Sequence, residues 1–312
     1  MAGKDYYGDF SQSQVPKKAI QAQDIIYQAS ALLAVVSKAG IPTVRSNDLM
    51  YKEDVTRGRV GEFDVQVDAA VDHRRIVYQQ MKAALKWAVF PYLIPDGAKL
   101  QSREPNQMWK DSVANAAEYF ASIRDYVTLV ALRAGNGASS TAAAAAKWNA
   151  ANADADGDII TALSYVSANS NLQTDEKLSV VVPASVAYEL KKLTLIQNIQ
   201  RTMEDYLSKN FNLQFFAYRA MLDDAGTAVN DGLSTSALVF AQGANTAKAL
   251  EFNPAMATNV GVPLVEHSRV HGRGDLYTHK GAFGALVTWD GVETYSAESP
   301  LSRRIYEITT VV

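Results

Sequence analysis

An acidic stretch in the middle of the chain, NADADGDII, has the residue types and spacing of a calcium-binding loop. Its candidate ligands are Asn152, Asp154, Asp156 and Asp158. Such a loop needs a bidentate carboxylate at its twelfth position, usually a glutamate. That position is Leu163 here, and the ninth is Ile160. Carboxylates also cap helices, because they accept hydrogen bonds from the free N–H groups of the first turn. We therefore expect Asp156 or Asp158 to cap a helix, and we expect no metal or other cofactor.

Two of the four histidines have the i, i+4 spacing of a zinc-binding pair on a helix. They are His267 and His271, in the stretch HSRVH. Their surroundings are typical of a strand, where four residues separate two side chains by roughly 13 Å. The stretch also lacks the glutamate of a zinc protease. We therefore expect all four histidines, including His73 and His279, to be surface or hairpin residues rather than metal ligands.

The sequence contains no set of residues that identifies a reaction. A G-x-S-x-G nucleophile elbow, a P-loop and a dinucleotide-binding glycine fingerprint are all absent. The chain has no cysteine, which excludes disulfides, thiolate catalysis and cysteine-bound zinc. The tripeptide Arg273-Gly274-Asp275 matches a cell-adhesion sequence, but it fits a tight turn between strands equally well. These observations favour a structural or binding protein over an enzyme.

Length and charge restrict the class of protein further. The chain has 312 residues, 48% of them hydrophobic, which suffices for one large domain or two ordinary ones. Its formal net charge of −3 gives no strong attraction to nucleic acids or anionic membranes. The first residues lack the apolar core of a secretory signal, and no apolar run nearby could span a bilayer. We therefore expect a soluble protein that is made and used in a cytoplasm.

The elements that would position these residues begin with an unusual first third of the chain. Residues 1–22 are a polar arm, and apolar residues recur with helical spacing over 24–36. The stretch 46–75 is rich in charge and alternates over EFDVQVD, which predicts an extended hairpin with few buried residues. Residues 76–95 are apolar but ambiguous between strand and helix, and we expect the two prolines near their end to break them.

Residues 105–134 carry the strongest helical pattern. Pro105 suits a first turn, and Gly135 follows the last residue. The apolar stripe comprises Trp109, Val113, Ala117, Phe120, Val127, Val130 and Ala131. At ~1.5 Å per residue the helix would be roughly 45 Å long. A helix of this length is typical of a spine on which other elements pack.

A second lobe follows a connector rich in alanine, serine, asparagine and glycine. The predicted helices are 158–168, 184–193 and 198–210, and the predicted strands are 177–183, 213–222 and 236–243. From Val262 onward the pattern is mostly that of strands. The sequence therefore predicts an α+β fold with two lobes, one long helix and a β-rich tail.

This order of elements resembles the major capsid proteins of tailed bacteriophages and archaeal tailed viruses, whose Hong Kong 97-type fold also occurs in encapsulin shells. The polar arm, the charged hairpin and the long helix follow in that family's order, and the long helix resembles its spine helix. The stretch AKWNAANADADGDIITALSYV is similar to the segment with which many of these proteins begin the axial domain. KLSVVVPASVAYELKKL matches the strand and helix that come next. The resemblance covers nearly the whole chain.

The resemblance implies a Hong Kong 97-like capsid fold in five parts. These are an N-terminal arm and first helix (1–45), an extended loop (46–75), a peripheral domain with the spine helix (76–150), an axial domain (151–262) and a return to the peripheral domain (263–312). It also implies a non-enzymatic subunit whose hexamers and pentamers close into an icosahedral capsid around double-stranded DNA, without sequence-specific contacts. Such a protein assembles in the host cytoplasm and ends in the virion. Its partners are itself and, in addition, portal, scaffolding and decoration proteins, with no membrane.

Two other functions stay open on the residues alone. The same fold would serve an encapsulin-type compartment that encloses a cargo enzyme. A soluble α+β hydrolase or metal-binding protein could instead use the acidic loop or the histidine pair. One family feature is missing, since some capsid proteins crosslink a loop lysine to a peripheral-domain asparagine. Lys52 could supply the lysine, but no asparagine or glutamine follows Asn259. We therefore expect a shell without such crosslinks.

Overall fold

The computed structural model describes most helices and strands of the chain. The described residues are 37–38, 43–45, 48–54, 78–84, 86–101, 105–136, 140–150, 153–170, 176–196, 199–220, 225, 227–229, 232–243, 246–252, 265–288 and 302–312. They fall into two compact units. The first unit includes Leu85–Val127 and Glu251–Gly284, and the second includes Leu32–Ala84, Thr128–Leu250 and Ala285–Val312.

The elements are numbered in chain order. The strands are β1 (Ser37–Lys38), β2 (Thr43–Arg45), β3 (Asp48–Asp54), β4 (Tyr78–Ala84), β5 (Lys86–Pro95), β6 (Thr141–Ala143), β7 (Leu178–Pro183), β8 (Leu193–Ile196), β9 (Ile199–Thr202), β10 (Leu213–Tyr218), β11 (Ala237–Ala241), β12 (Ala247–Phe252), β13 (Val265–Val270), β14 (Gly274–Val287) and β15 (Ile305–Thr309). The helices are α1 (Asp96–Gln101), α2 (Pro105–Ala134), α3 (Ala155–Asn169), α4 (Ala184–Ala187) and α5 (Met203–Phe211).

In the first unit, the long helix α2 packs on an antiparallel sheet. β14 pairs with β13 and with β5 over the same residues, so it lies between them. The core of the unit consists of Ala88, Ala116, Ala117, Phe120 and Phe283. The ring of Phe120 lies 5.8 Å from that of Phe283, and Phe90 of β5 lies 5.4 Å from Tyr119 of α2, centroid to centroid. The apolar stripe of the helix therefore covers one face of the sheet.

The second unit is built on a five-stranded mixed sheet with the order β10-β7-β11-β15-β6. β11 runs antiparallel to β7 and β15, whereas the outer strands β10 and β6 run parallel to their neighbours. The core buried against this sheet includes Ile159, Leu163 and Val166 of α3, Val180 and Val182 of β7, and Ile308 of β15. The last strand of the chain thus lies inside the sheet, where it pairs with β11 on one side and β6 on the other.

Three smaller pairings complete the second unit. β2, β3 and β4 form an antiparallel sheet in which Asp54, the last residue of β3, is opposite Tyr78, the first residue of β4. β8 and β9 form a short antiparallel hairpin. β1 pairs with β12 in parallel, and β12 in turn pairs with β14, so these two strands extend the sheet that contains β5, β13 and β14. The sequence between β3 and β4, which includes EFDVQVD, lies outside the described residues, as do the polar arm and the predicted helix at 24–36.

The long helix is confirmed over its whole predicted range. Val113, Ala117, Phe120 and Val127 are buried, as the stripe predicts. Beyond Val127 the stripe was wrong, because Leu129 and Leu132 are fully buried while Val130 and Ala131 are half-buried. The side chain of Trp109 lies outside the described residues.

Two helix predictions in the second lobe were wrong in extent. After Pro183 the helix stops at Ala187, since the next N–H groups make tight turns such as Lys191 N to Tyr188 O at 3.2 Å, and the chain then enters β8. The helix predicted at 198–210 begins instead at Met203, where the Thr202 hydroxyl accepts a bond from the Asp205 N–H.

The stretch 76–95 contains the strands β4 and β5, so the expectation that a proline would break it was wrong for Pro91 and was confirmed for Pro95. Pro91 lies inside β5, opposite Thr278 of β14, and Pro95 ends the strand. In the described part of the chain β5 pairs with β14 alone. A strand paired on one side tolerates proline, because the missing N–H can face away from the partner. Of the predicted tail, β13 lies in the first unit and β15 in the second; the five-part domain division stays a prediction.

Candidate functional site

The acidic stretch lies at the start of helix α3, and the local structure of that helix accounts for each of its described carboxylates. Asp154 is the N-cap, and its Oδ1 accepts a hydrogen bond from the Gly157 N–H at 3.3 Å. Asp156 and Asp158 follow in the first turn, where negative charge favours the helix dipole. The prediction that Asp156 or Asp158 is the cap was therefore wrong, because the preceding carboxylate, Asp154, caps the helix. The reason is that the helix begins at Ala155, earlier than the pattern indicated.

Asp158 joins the loop before α3 to the helix itself. Its Oδ2 accepts a hydrogen bond from the indole Nε1 of Trp148 at 2.9 Å, and its Oδ1 accepts one from the Ala145 N–H at 3.1 Å. Trp148 is buried in the core of the second unit. Both oxygens of this carboxylate are thus used to hold the tryptophan and the loop, as expected of a structural role.

The twelfth position of the calcium pattern is inside the core. Leu163 and Ile159 are buried side chains of α3 that pack on the sheet of the second unit. Neither can supply an oxygen ligand, and Asn152 lies outside the described residues. Over the part of the chain that the structure describes, no three histidine or carboxylate side chains are grouped closely enough to hold a metal ion. Whether the stretch binds calcium stays a prediction, tested below.

The two histidines of HSRVH have different settings. His267 lies on β13, where its ring stacks on Tyr277 with centroids 4.9 Å apart and its Nε2 is 3.3 Å from Oδ1 of Asp275. His271 lies beyond the end of the strand and is exposed. His73 lies outside the described residues. The structure therefore gives the pair no common helical face.

His279 is the histidine whose place the sequence analysis missed. It lies on β14 at 0% exposure, and its Nε2 is 3.0 Å from the hydroxyl of Ser112 on α2, also at 0% exposure. Burial lowers the pKa of His279 from 6.5 to about 4. The alternation of Tyr277, His279 and Phe283 on one face of the strand was the signal that could have revealed it.

The Ser112–His279 pair bears on the hydrolase alternative. A serine hydroxyl beside a histidine nitrogen is the composition of a nucleophile and its base. Both side chains are closed off from solvent, so no substrate can reach the hydroxyl. A base with a pKa of about 4 also accepts a proton poorly near neutrality. The geometry is that of an interior polar contact between helix and sheet.

The turn of the first unit gathers charged side chains around Asp275. The turn between β13 and β14 consists of His271, Gly272 and Arg273, with the Arg273 N–H bonded to Val270 O at 3.0 Å. Of the tripeptide expected to form this turn only Arg273 lies in it, because Gly274 and Asp275 belong to β14. Asp275 itself is buried and forms ion pairs with Lys99 and with Arg269, the latter at 3.1 Å. A carboxylate held in this way is not available for the cell-adhesion type of recognition.

Ion pairs also hold β15 and the residue before it in the second unit. Arg133, near the end of α2, donates to Glu307 of β15 at 2.9 Å and to the carbonyl oxygen of Gly232 at 2.9 Å. Arg304, which is buried, pairs with Glu176 and donates to the Thr246 hydroxyl at 3.2 Å. Within the described residues these charges serve internal contacts, and none of them converges with a nucleophile. No described helix is long and apolar enough to cross a membrane.

Comparison with known proteins gives matches of structure and none of sequence. No protein-family model and no curated protein matches the chain. The virus-like particle from Pyrococcus furiosus matches with a TM-score of 0.57 at 11% identity, over 96% of this chain and 100% of that one. The capsid of the native GTA particle matches with 0.54 at 12% identity, over 100% and 95%. The capsid of cyanophage P-SCSP1u matches with 0.51 at 11% identity, over 88% and 85%.

These structures define the class of fold. They are viral or virus-like shells, and they match the chain along most of its length in both directions. The chain therefore has the fold of phage major capsid proteins, and the predicted α+β Hong Kong 97-like capsid fold is confirmed. At these identities the likeness shows the fold alone.

Proposed function

We propose that the protein is the major capsid protein of a tailed virus or a related particle. Copies of the chain would form hexamers and pentamers that close into an icosahedral shell around double-stranded DNA. The observation that carries the proposal is the match of nearly the entire chain to entire capsid subunits.

The mechanism of such a protein is geometric rather than catalytic. Each contact between copies is modest, and symmetry multiplies it until the shell is closed and stable. The described carboxylates and histidines of the candidate site support this view, because they serve helix capping, core anchoring and ion pairing. A formal net charge of −3 gives little attraction to DNA. Packaged DNA would therefore be enclosed without sequence-specific contacts. Assembly would take place in the host cytoplasm with portal, scaffolding and decoration proteins as partners, and the finished shell would be part of the virion.

The division into arm, extended loop, peripheral and axial domains belongs to this proposal. The extended loop at 46–75 would lie across a neighbouring subunit. The antiparallel pairing of β3 with β4 supports this assignment, because the two strands that flank residues 55–77 lie side by side as in a hairpin. The charge of that stretch favours a position away from the subunit's own core.

Sedimentation of the purified chain tests the proposal. A capsid protein should shift from the sedimentation rate of a single 312-residue chain to that of a large discrete particle as protein concentration or salt is raised. A protein that stays a single chain over the whole range, alone and with the products of neighbouring genes, would contradict a shell function.

A second candidate is an encapsulin-type compartment, which the match to a virus-like particle favours. The contents of native particles distinguish the two. Nuclease-protected double-stranded DNA would support the capsid, whereas a stoichiometric protein cargo without DNA would support the compartment.

A further inference from the structure

Exposed apolar side chains are concentrated on one face of β5. Among the described residues six large hydrophobic side chains are exposed, and three of them are on this strand. Trp87 and Val89 are each 47% exposed and Leu93 is 40% exposed. They alternate with Ala88 and Ile94, which are buried on the opposite face. A sheet face that stays in solvent normally carries polar side chains, whereas this face of β5 carries apolar ones.

The β5 outer face is defined as Trp87, Val89, Pro91, Leu93 and Pro95, all of which are exposed. The inner face of the strand packs on Phe120 and its neighbours in the core of the first unit. The outer face belongs to one strand of the first unit, and its pairing with β14 and the packing of its inner face hold that strand in place.

The edge of β5 is a poor site for a partner strand. In the described chain β5 pairs only with β14. Pro91 and Pro95 lack the N–H groups that an added strand would need, and prolines on an edge oppose strand addition. A partner at β5 would consequently contact the side chains of the outer face rather than extend the sheet.

The size of the outer face indicates the kind of partner. Nine residues of strand span about 30 Å, and with a width of about 10 Å the face offers about 300 Å². Stable pairwise interfaces bury about 800 Å² on each partner. A single contact of this size would not hold a dimer, but the same contact repeated in a closed symmetric assembly would be stable.

We infer that the β5 outer face packs against a second copy of this chain in the assembled particle. The inference rests on the proposed shell function, which supplies the repeated copies that so small a contact needs. It predicts that isolated subunits expose this face and stay monomeric, and that assembly buries it. A different protein that binds only here would lack the area for a stable complex.

The absence of cysteine in the chain allows a direct test. The Val89→Cys variant has a single thiol on the outer face, and the Val229→Cys variant has a single thiol at a valine that is 56% exposed in the second unit. Both are labelled with a maleimide reagent, first as free subunits and then as particles assembled from the purified variant alone. In free subunits the two thiols should react at similar rates.

In particles the Val89→Cys thiol should react at least tenfold more slowly than in the free subunit. Because no other protein is present, such protection can come only from another copy. Equal rates in both states would overturn the inference while leaving the shell function intact. Failure of the wild-type chain to assemble under any condition would overturn the shell function as well.

A charged variant provides an independent measurement. Val89→Lys places an ammonium group on a face that is exposed in the free subunit, so its melting temperature should match that of the wild type. Its yield of particles should fall at least tenfold. A normal yield of Val89→Lys particles would show that the face stays open to solvent in the shell, and the inference would be wrong.

Discussion

The buried His279 should make the free subunit lose stability in mild acid. Its ring is closed off between β14 and α2 beside Ser112, and burial lowers the pKa to about 4. In the unfolded chain the same ring takes up a proton as the pH falls below 6.5, its ordinary pKa. Between pH 6.5 and 4 the unfolded state therefore binds more protons than the folded state. The contribution of this histidine to stability is complete above pH 6.5 and is lost as the pH falls through that window.

The size of the effect follows from the two pKa values. One pH unit corresponds to ~1.4 kcal/mol for a single proton. A pKa of 6.5 in the unfolded chain and about 4 in the folded one thus gives about 3 kcal/mol by pH 4. This is a large share of the 5–15 kcal/mol by which domains are typically stable, so about 3 kcal/mol should be easy to measure.

The variant His279→Gln isolates this contribution. Glutamine can still hydrogen-bond to the Ser112 hydroxyl but does not titrate, and all other titrating groups are common to both proteins. Urea unfolding of both free subunits, followed by circular dichroism from pH 7.5 to 4.5, gives the difference between their free energies of unfolding. That difference should shift by about 2–3 kcal/mol in favour of the variant as the pH falls. A difference constant to within about 0.5 kcal/mol would refute the assignment of a buried neutral histidine.

Three further predictions concern the long helix, the acidic stretch and the extended loop. Phe120→Ala should lower the stability of the free subunit by about 3–5 kcal/mol, because burial is lost and a cavity is left. Replacing the half-buried Ser122 with alanine should change that stability by about 0.5 kcal/mol or less. Thermal melting compares the two variants, and equal shifts in melting temperature would mean that the buried face of the helix is misassigned. Calcium titrated into the protein should give no micromolar binding in a calorimeter, and a stoichiometric site abolished by Asp156→Ala would overturn the capping role of the stretch. Replacing residues 55–77 with Asn-Gly joins β3 and β4 at the paired positions Asp54 and Tyr78 through a favourable hairpin turn. The product should fold and stay unassembled, and normal closed particles from it would contradict the extended-loop proposal.

Local patterns were sufficient where one physical signal dominated. The spacing of Val113, Ala117 and Phe120, with Pro105 and Gly135 at the ends, predicted α2 because its buried stripe is continuous. The run Val180–Val182 predicted β7 because three consecutive β-branched residues suit a strand that is buried on both faces. In both cases burial and local propensity indicate the same element.

The sequence was ambiguous where those signals conflict. β5 has apolar residues on both faces, so the alternation that reveals a strand is absent. Its inner proline suggested a break in the element, but a strand that pairs on one side only can contain a proline. The start of α3 was misplaced because Asp154, Asp156 and Asp158 are equally good caps by residue type. The position of β15 between β11 and β6 depends on pairing across a long sequence separation, which no local pattern contains.

Electron microscopy of the purified wild-type chain tests the central claim most directly. After assembly is induced by concentration or salt, negatively stained grids should show closed particles of uniform diameter whose class averages have five-fold and six-fold arrangements of subunits. Val89→Lys protein imaged under identical conditions should show at least tenfold fewer of these particles. Grids that show only single subunits or irregular aggregates of the wild-type chain, from samples whose circular dichroism is that of a folded α+β protein, would contradict the assignment of this chain as a shell-forming capsid protein.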